Sequence, residues 1–313
     1  MATHRLKLVP QGTNFDFIGY RMWGFAVFGG LTVASVVLLL VMGLNFGIDF
    51  LGGILIEART PQAADIAQLR TTTNELGLGE VTLQQFGTDR DILIRVPQQH
   101  GGDAAQTAAA DTVKQALINS LGSIEFRRIE FVGPQVGGEL IRDGVLAVVL
   151  AILAMLVYVW FRFEWQFGIG AVLGLLNVAI TTLGVFAILR LEFNLPVVAA
   201  ILTIIGYSMN DTVVIYDRIR ENLRKYRSME LIALLNRSIN DTLSRSVNTH
   251  FTTFLATLAL LIFGGQAIRE FAIAMLWGVV VGACTSVFVA APVLIYLGLH
   301  RGVLSRGGER EPA

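Results

Sequence analysis

Long apolar runs alternate with one long polar stretch along this chain. The runs are Trp23–Gly43, Gly144–Phe161, Phe167–Leu189, Leu195–Ile215, Ser246–Phe263 and Ala272–Leu299, the fifth opening on threonines. A membrane span needs about 17–25 predominantly apolar residues, so the pattern predicts six transmembrane helices. Between the first two runs the chain has the character of a folded domain in water. Gly53–Arg59, Glu80–Phe86, Asp91–Val96 and Ile124–Val132 read as strands, with Gly87–Arg90 as a turn. Thr60-Pro61 offers an N-cap and a first-turn proline for a helix ending near Leu76-Gly77. Asp103–Leu121 is an alanine-rich helix that Gly122 stops.

The element order β-α-β-β-α-β is that of the split, ferredoxin-like arrangement. The expected fold is a multi-pass α-helical membrane protein of six transmembrane helices, with an exported ferredoxin-like α+β domain between helices 1 and 2. Its divisions are an amino-terminal segment 1–22, helix 1 at 23–43, the domain at 44–141, helices 2–6 within 142–299 and a tail 300–313.

Composition agrees with the pattern. Only 15% of the 313 residues are charged and the mean hydropathy is +0.62, whereas soluble domains carry about 25% charge. The formal net charge of +0 gives no global basic field for nucleic acid. A single cysteine, Cys284, excludes an internal disulfide and a cysteine-based metal site. Charge asymmetry orients the chain. Arg218, Arg220, Arg224, Lys225, Arg227, Arg237 and Arg245 crowd the loop 218–245. Cytoplasmic loops carry the excess of Lys and Arg, so this loop and both termini are expected in the cytoplasm. Arg5, Lys7, Arg162, Arg301, Arg306 and Arg310 fall on the same side, while only Arg190 and Arg269 fall in the short loops opposite. The first run is too long for a cleaved signal sequence and has no small-x-small site after it.

An ionisable group inside a span is costly and marks function. Asp211 is such a group, within Tyr207-Ser208-Met209-Asn210-Asp211-Thr212. On a helix Tyr207 and Ser208 lie one turn before it and Arg218 two turns after. Two readings stand: a carboxyl that gains and loses a proton, or an interfacial acid paired with Arg218. Arg245 is the second candidate, heading a polar face with Thr249 and Thr252. It is either an electrostatic partner of Asp211 or a plain cytoplasmic-end arginine, and it does not itself give up a proton. His250 is a possible relay or a capping residue. Gly47, Gly52 and Gly53 around Asp49, and Gly133-Pro134 with Gly137, read as backbone geometry. Gly168, Gly170, Gly174 and Gly184 read as close helix packing. No nucleotide loop, metal triad or nucleophile–base pair is present, so no cofactor, no metal and no enzyme activity are expected.

Several segments resemble the SecD/SecF family of protein-export membrane proteins. Gly12-Thr13-Asn14-Phe15-Asp16-Phe17 and Leu44-Asn45-Phe46-Gly47-Ile48-Asp49-Phe50-Leu51-Gly52-Gly53 are similar to its signatures on either side of the first span. Val132–Gly137, Tyr207–Asn222 and Asn240–Ser246 are similar to its later motifs, and the resemblance runs from about Leu8 to Leu297. It implies the resistance–nodulation–division fold and residence in the bacterial inner membrane. It also implies a SecD partner, the SecYEG channel with YajC- and YidC-type subunits, and an unfolded preprotein as cargo. Asp211 and Arg245 match family positions implicated in proton transfer, and the proton gradient would drive export after the SecA-driven step. Two other classes stay in view. One is half of an exporter of a hydrophobic solute or lipid, for which the exported domain is small. The other is a scaffold without proton coupling, for which a carboxylate inside a span has no use.

Overall fold

A computed structural model describes residues 13–79, 81–85, 88–265 and 268–299. Arg5, Lys7, Gly12, Glu80, Phe86, Gly87 and the arginines of the tail lie outside them. In chain order the elements are α1 (Arg21–Met42), β1 (Asn45–Phe46), α2 (Ile48–Leu51), β2 (Gly53–Arg59), α3 (Ile66–Asn74), β3 (Thr82–Gln85), β4 (Asp91–Val96), α4 (Gly102–Leu121) and β5 (Glu125–Val132). They continue as α5 (Pro134–Arg162), α6 (Trp165–Ile188), β6 (Glu192–Phe193), α7 (Leu195–Lys225), α8 (Leu231–Phe263), α9 (Arg269–Thr285), a π turn (Ser286–Ala290) and α10 (Ala291–Tyr296). Two units result. Within the described residues one takes the chain up to Leu44, Ala147–Leu191 and the chain from Pro196 on; the other takes Asn45–Leu146 with Glu192–Leu195.

Among the described residues six helices are long and apolar enough to cross a membrane: α1, α5, α6, α7, α8 and α9 continued by α10. Of these, α5, α7 and α8 run well beyond the apolar cores read from the sequence. The loop expected at 218–245 is mostly helix, broken only at 226–230. An apolar face continues past the membrane pattern: Ile219 and Leu223 on α7 and Leu234, Leu235 and Ile239 on α8 are buried. Arg218 then joins the two helices by bonding Asp241 at 2.9 Å. Tyr226 fills the break, with the Arg237 guanidinium 4.2 Å from its ring centre.

Small residues set the helix spacing. Gly184 on α6 packs against the side chain of Ser35 on α1, and Gly278 and Gly282 on α9 receive Ile204 and Ser208 of α7. Asn177 reaches from α6 to α1, donating to the Phe28 carbonyl at 2.8 Å and meeting the Thr32 hydroxyl at 2.6 Å. Of the glycines expected at seams, Gly170 and Gly184 are pressed tightly, Gly174 touches Ala290, and Gly168 has open space. The amino-terminal segment is clamped to α8. The Phe15 N–H donates to Asn240 Oδ1 at 2.9 Å, the Ile18 N–H donates to Asn236 Oδ1 at 2.9 Å, and Asn236 in turn bonds Asp16 at 2.5 Å. That contact with Asn236 holds the Asp16 carboxyl below its ordinary value.

The second unit is the α+β domain. Its sheet order is β3-β4-β2-β5 with every neighbour antiparallel, the split arrangement that the element order implied. Alternation puts Ile54, Ile56, Ala58, Ile92, Ile94 and Val96 on one face, where they bury against Leu69 of α3 and Val113 and Leu117 of α4. The opposite face carries charge. Asp91 accepts two bonds from Arg59 at 2.8 and 2.9 Å and one from Thr88 at 2.6 Å. These hold its carboxyl down at about 2. On the same face burial raises Glu57 despite the nearby Arg128. The first helix starts later than Thr60-Pro61 predicts. The Thr60 hydroxyl is taken by the Gln62 and Arg90 carbonyls, and Asp65 caps Ile66–Asn74 by accepting from the Ala67 and Gln68 N–H groups.

Candidate functional site

Asp211 sits on the buried face of α7 and is only 7% exposed. The reason is local: Ile204, Ile205, Ser208, Thr212, Ile215 and Ile219 share the helical stripe that faces the bundle. The glycines of α9 let this stripe approach closely, and Ser208 lies against Gly282. From α8, Ser246 Oγ donates to Asp211 Oδ1 at 2.5 Å, while Oδ2 is buried without a hydrogen-bond partner among the described residues. The Thr212 hydroxyl lies 2.9 Å from that of Ser286, and Arg245 and His250 lie within electrostatic reach of the carboxyl.

Below this group α9 gives way to the π turn. Pro292 has no N–H, and the Ala291 N–H reaches back to the Ser286 carbonyl. The widened turn presents the Ala290 carbonyl to α7, where the Tyr216 hydroxyl donates to it at 3.1 Å. Gly170 of α6 leaves room for that bond, since a methyl group there would meet both oxygens. Gly24 of α1 packs on Phe288 in the same turn. Three transmembrane helices therefore meet the π turn within reach of the carboxyl-bearing helix.

The predicted polar stripe divides. Tyr207, Ser208 and Thr212 face the interior to different depths, and Asn210 is exposed. Arg218 does not pair with Asp211; it is engaged by Asp241 at 2.8 Å and Glu221 at 2.7 Å. Arg245 is exposed and makes no ion pair among the described residues. Ser246, its neighbour in sequence, is the group that touches the carboxyl. Only the pairing of α7 with α8 separates the roles of these two residues. The exposed side of α8 is polar at Arg245, Asn248 and Thr252, and α7 exposes Asn210.

The glycine motif belongs to the α+β unit. The Gly47 N–H donates to the Phe193 carbonyl at 2.8 Å beside the parallel β1–β6 pair, and a side chain there would strike Glu192. Gly52 and Gly53 have φ of +73° and +118°, and a Cβ on Gly53 would lie 2.5 Å from the Val96 carbonyl. Asp49 Oδ2 accepts the Leu195 N–H at 2.9 Å. Gly137, in the first turns of α5 after Gly133 and Pro134, lets the helix backbone pass the Phe50 carbonyl, while Gly133 itself meets nothing. Phe46, Phe50 and Phe193 close the turn as an aromatic cluster. Backbone geometry accounts for Gly47, Gly52, Gly53 and Gly137, while nothing in the structure explains a glycine at 133.

Comparison with known proteins follows the same lines. The family described as "Protein export membrane protein SecD/SecF, C-terminal" matches residues 112–300, and the SecD/SecF GG motif matches residues 37–64. The chain is similar to the protein translocase subunit SecF of Rickettsia akari, at 44% identity over 94% of this chain and 95% of that protein. It is likewise similar to that of Rickettsia prowazekii, at 43% identity over 94% of each chain. Among solved structures it is similar to SecDF, a translocon-associated membrane protein of Thermus thermophilus, with a TM-score of 0.81, 34% identity and 92% of this chain covered. A super-membrane-facing form of SecDF gives 0.70, 33% and 96%. This chain spans 39% and 41% of those two SecDF chains.

Proposed function

The chain belongs to the SecD/SecF family of protein export membrane proteins, and on that premise we propose that it is the SecF-type half of a proton-driven accessory to the Sec translocase. It pairs with a SecD-type chain in the bacterial inner membrane and works beside the SecYEG channel and its YajC- and YidC-type subunits. Together they draw an unfolded preprotein outward after the SecA-driven step. Both termini lie in the cytoplasm and the α+β domain in the exported space, an orientation supported by the basic residues of 218–245.

One observation carries this reading: a carboxyl 7% exposed inside a transmembrane bundle, with one oxygen held by Ser246 and the other without a hydrogen-bond partner among the described residues. Burial and hydrogen-bond donation act on a carboxyl's proton in opposite senses. A small change in the separation of α7 and α8 thus switches protonation, and protonation biases the separation in return. The driving force suffices, since one charge crossing 100 mV carries about 2.3 kcal/mol. The exposed polar side of α7 and α8 supports the partner, because polar groups facing lipid must be satisfied by protein or by a water-filled cavity.

Asp211→Asn keeps the shape and removes the titration. In the assembled complex, the stimulation of preprotein export by the proton gradient is expected to disappear, with membrane insertion and partner binding unchanged. Asp211→Glu retains part of the stimulation. An Asp211→Asn complex that exports as fast as wild type and responds equally to an uncoupler would overturn the proposal.

A further inference from the structure

His250 lies one turn beyond Ser246 on α8 and is 8% exposed. Its Nδ1 is 2.8 Å from the Ser246 carbonyl oxygen. A carbonyl only accepts, so Nδ1 carries the proton of the neutral ring and Nε2 is a bare lone pair. That Nε2 is buried with no hydrogen-bond partner among the described residues, as is Asp211 Oδ2. Ser246 holds both groups, its hydroxyl on Asp211 and its carbonyl on His250. The Tyr207 ring stands against the imidazole at 5.2 Å and 79°. The titratable groups facing the imidazole are Asp211 and Tyr207 from α7, while Arg245 of α8 is exposed and acts on the same Asp211 carboxyl. Helix α9, packed beside α8, has no ionisable residue between Glu270 and Cys284.

We propose that His250 is a second proton-carrying group of this site, handing from Nε2 to the Asp211 carboxylate a proton that arrives from the exported side. The inference rests on the reading of Asp211 as the proton carrier. The neutral imidazole takes a proton from water at Nε2 and becomes an imidazolium with N–H on both nitrogens. It then gives the Nε2 proton to the Asp211 carboxylate, which becomes the neutral acid as the ring returns to the Nδ1–H form. Ser246 contacts both groups, and the Tyr207 ring packs edge-to-face with the imidazole.

The test compares variants in the full complex with the SecD-type partner. His250→Asn keeps a donor near Nδ1 for the Ser246 carbonyl and lacks a titratable nitrogen. Gradient-stimulated export is expected to fall about a hundredfold, the low end of the range for a lost acid–base group. Its pH profile loses one ionisation, and Asp211→Asn/His250→Asn is no worse than Asp211→Asn alone. A wild-type rate and pH profile in His250→Asn, with Asp211→Asn still dead, overturns the role of His250 and leaves that of Asp211 standing. Wild-type behaviour in both single variants overturns both. Nitrogen-15 spectra of the imidazole give a readout independent of export. They should show a protonated Nδ1 and bare Nε2 at high pH, with a titration midpoint that moves in Asp211→Asn; an unmoved midpoint refutes the coupling.

Discussion

Gly170→Ala tests the crossing that holds α7 against the π turn. The added methyl would lie 2.5 Å from the Tyr216 hydroxyl oxygen and 2.8 Å from the Ala290 carbonyl oxygen, where ordinary contact begins at 3.4 Å. Those two oxygens are hydrogen-bonded to each other at 3.1 Å, so the methyl is driven into a buried bond. Leaving its ends unpartnered costs about 1–3 kcal/mol, and forcing the helices apart adds about 1–3 kcal/mol. Alanine's better helix propensity offsets up to about 1 kcal/mol, for a net loss of about 1–6 kcal/mol. Tyr216→Phe alone loses the bond, about 1–2 kcal/mol, but vacates space on one side of the methyl. The two changes are therefore coupled, and the double variant should be more stable than the sum of the singles by about 1–2 kcal/mol. Equilibrium unfolding of the full-length protein in mixed micelles, titrated with a denaturing detergent, reads all three differences. A Gly170→Ala protein as stable as wild type, or strict additivity in the double variant, would refute this account of the crossing.

Gly184→Ala places a methyl on the Ser35 side chain and should destabilise the α1–α6 seam by about 1–3 kcal/mol; Ser35→Gly in the same chain should restore most of it in the same titration. The Asp91 network should respond to acid. Its carboxyl sits at about 2 against an ordinary 3.8, so its contribution is complete above about pH 4 and is lost as pH falls through about 2. With Arg59 and Arg127 at 39% and 37% exposure, that contribution is about 1–2 kcal/mol after solvent screening. Asp91→Asn should therefore weaken hydrogen-exchange protection of β2 and β4 at neutral pH and leave no acid-dependent step. Cysteines placed at Gln99 and Lys225 in a Cys284→Ser background should react oppositely with a membrane-impermeant thiol reagent on intact cells, Gln99 labelling and Lys225 not; the reverse pattern refutes the proposed orientation.

Local pattern was enough wherever a residue's role depends on its near neighbours. The apolar runs located six spans because a bilayer imposes a length and a polarity on any helix that crosses it. Alternation located β2 and β4 with their observed ends, since one face of the sheet is buried and a register slip would expose it. Asp211 stood out because a carboxylate in an apolar helix is conspicuous in one dimension. Amphipathic segments outside the bilayer gave a weaker signal. The helical ends of α7 and α8 were read as loop because their charges mask a buried stripe of Ile219, Leu223, Leu234 and Ile239.

Partnerships across the fold were settled only by packing. Arg218 on the same helix and Arg245 on the next were both candidate neighbours of Asp211, yet the Asp241 carboxylate takes the first, and the second is exposed with no ion pair among the described residues. Ser246, 35 residues from Asp211, has no distinguishing feature in the sequence. A serine beside an arginine at a helix end is common, and only the rotation of α8 about its axis turns it toward the acid. Likewise, Pro292 announces a disturbed helix, but which carbonyl is released and which hydroxyl meets it depend on Gly170, Tyr216 and Ala290 arriving from three separate segments. The interior of a membrane bundle is nearly uniform in hydrophobicity, so burial alone says little about neighbours there. Helix rotation and separation are set by where glycines permit close approach, and these are properties of pairs of helices rather than of any single stretch of chain.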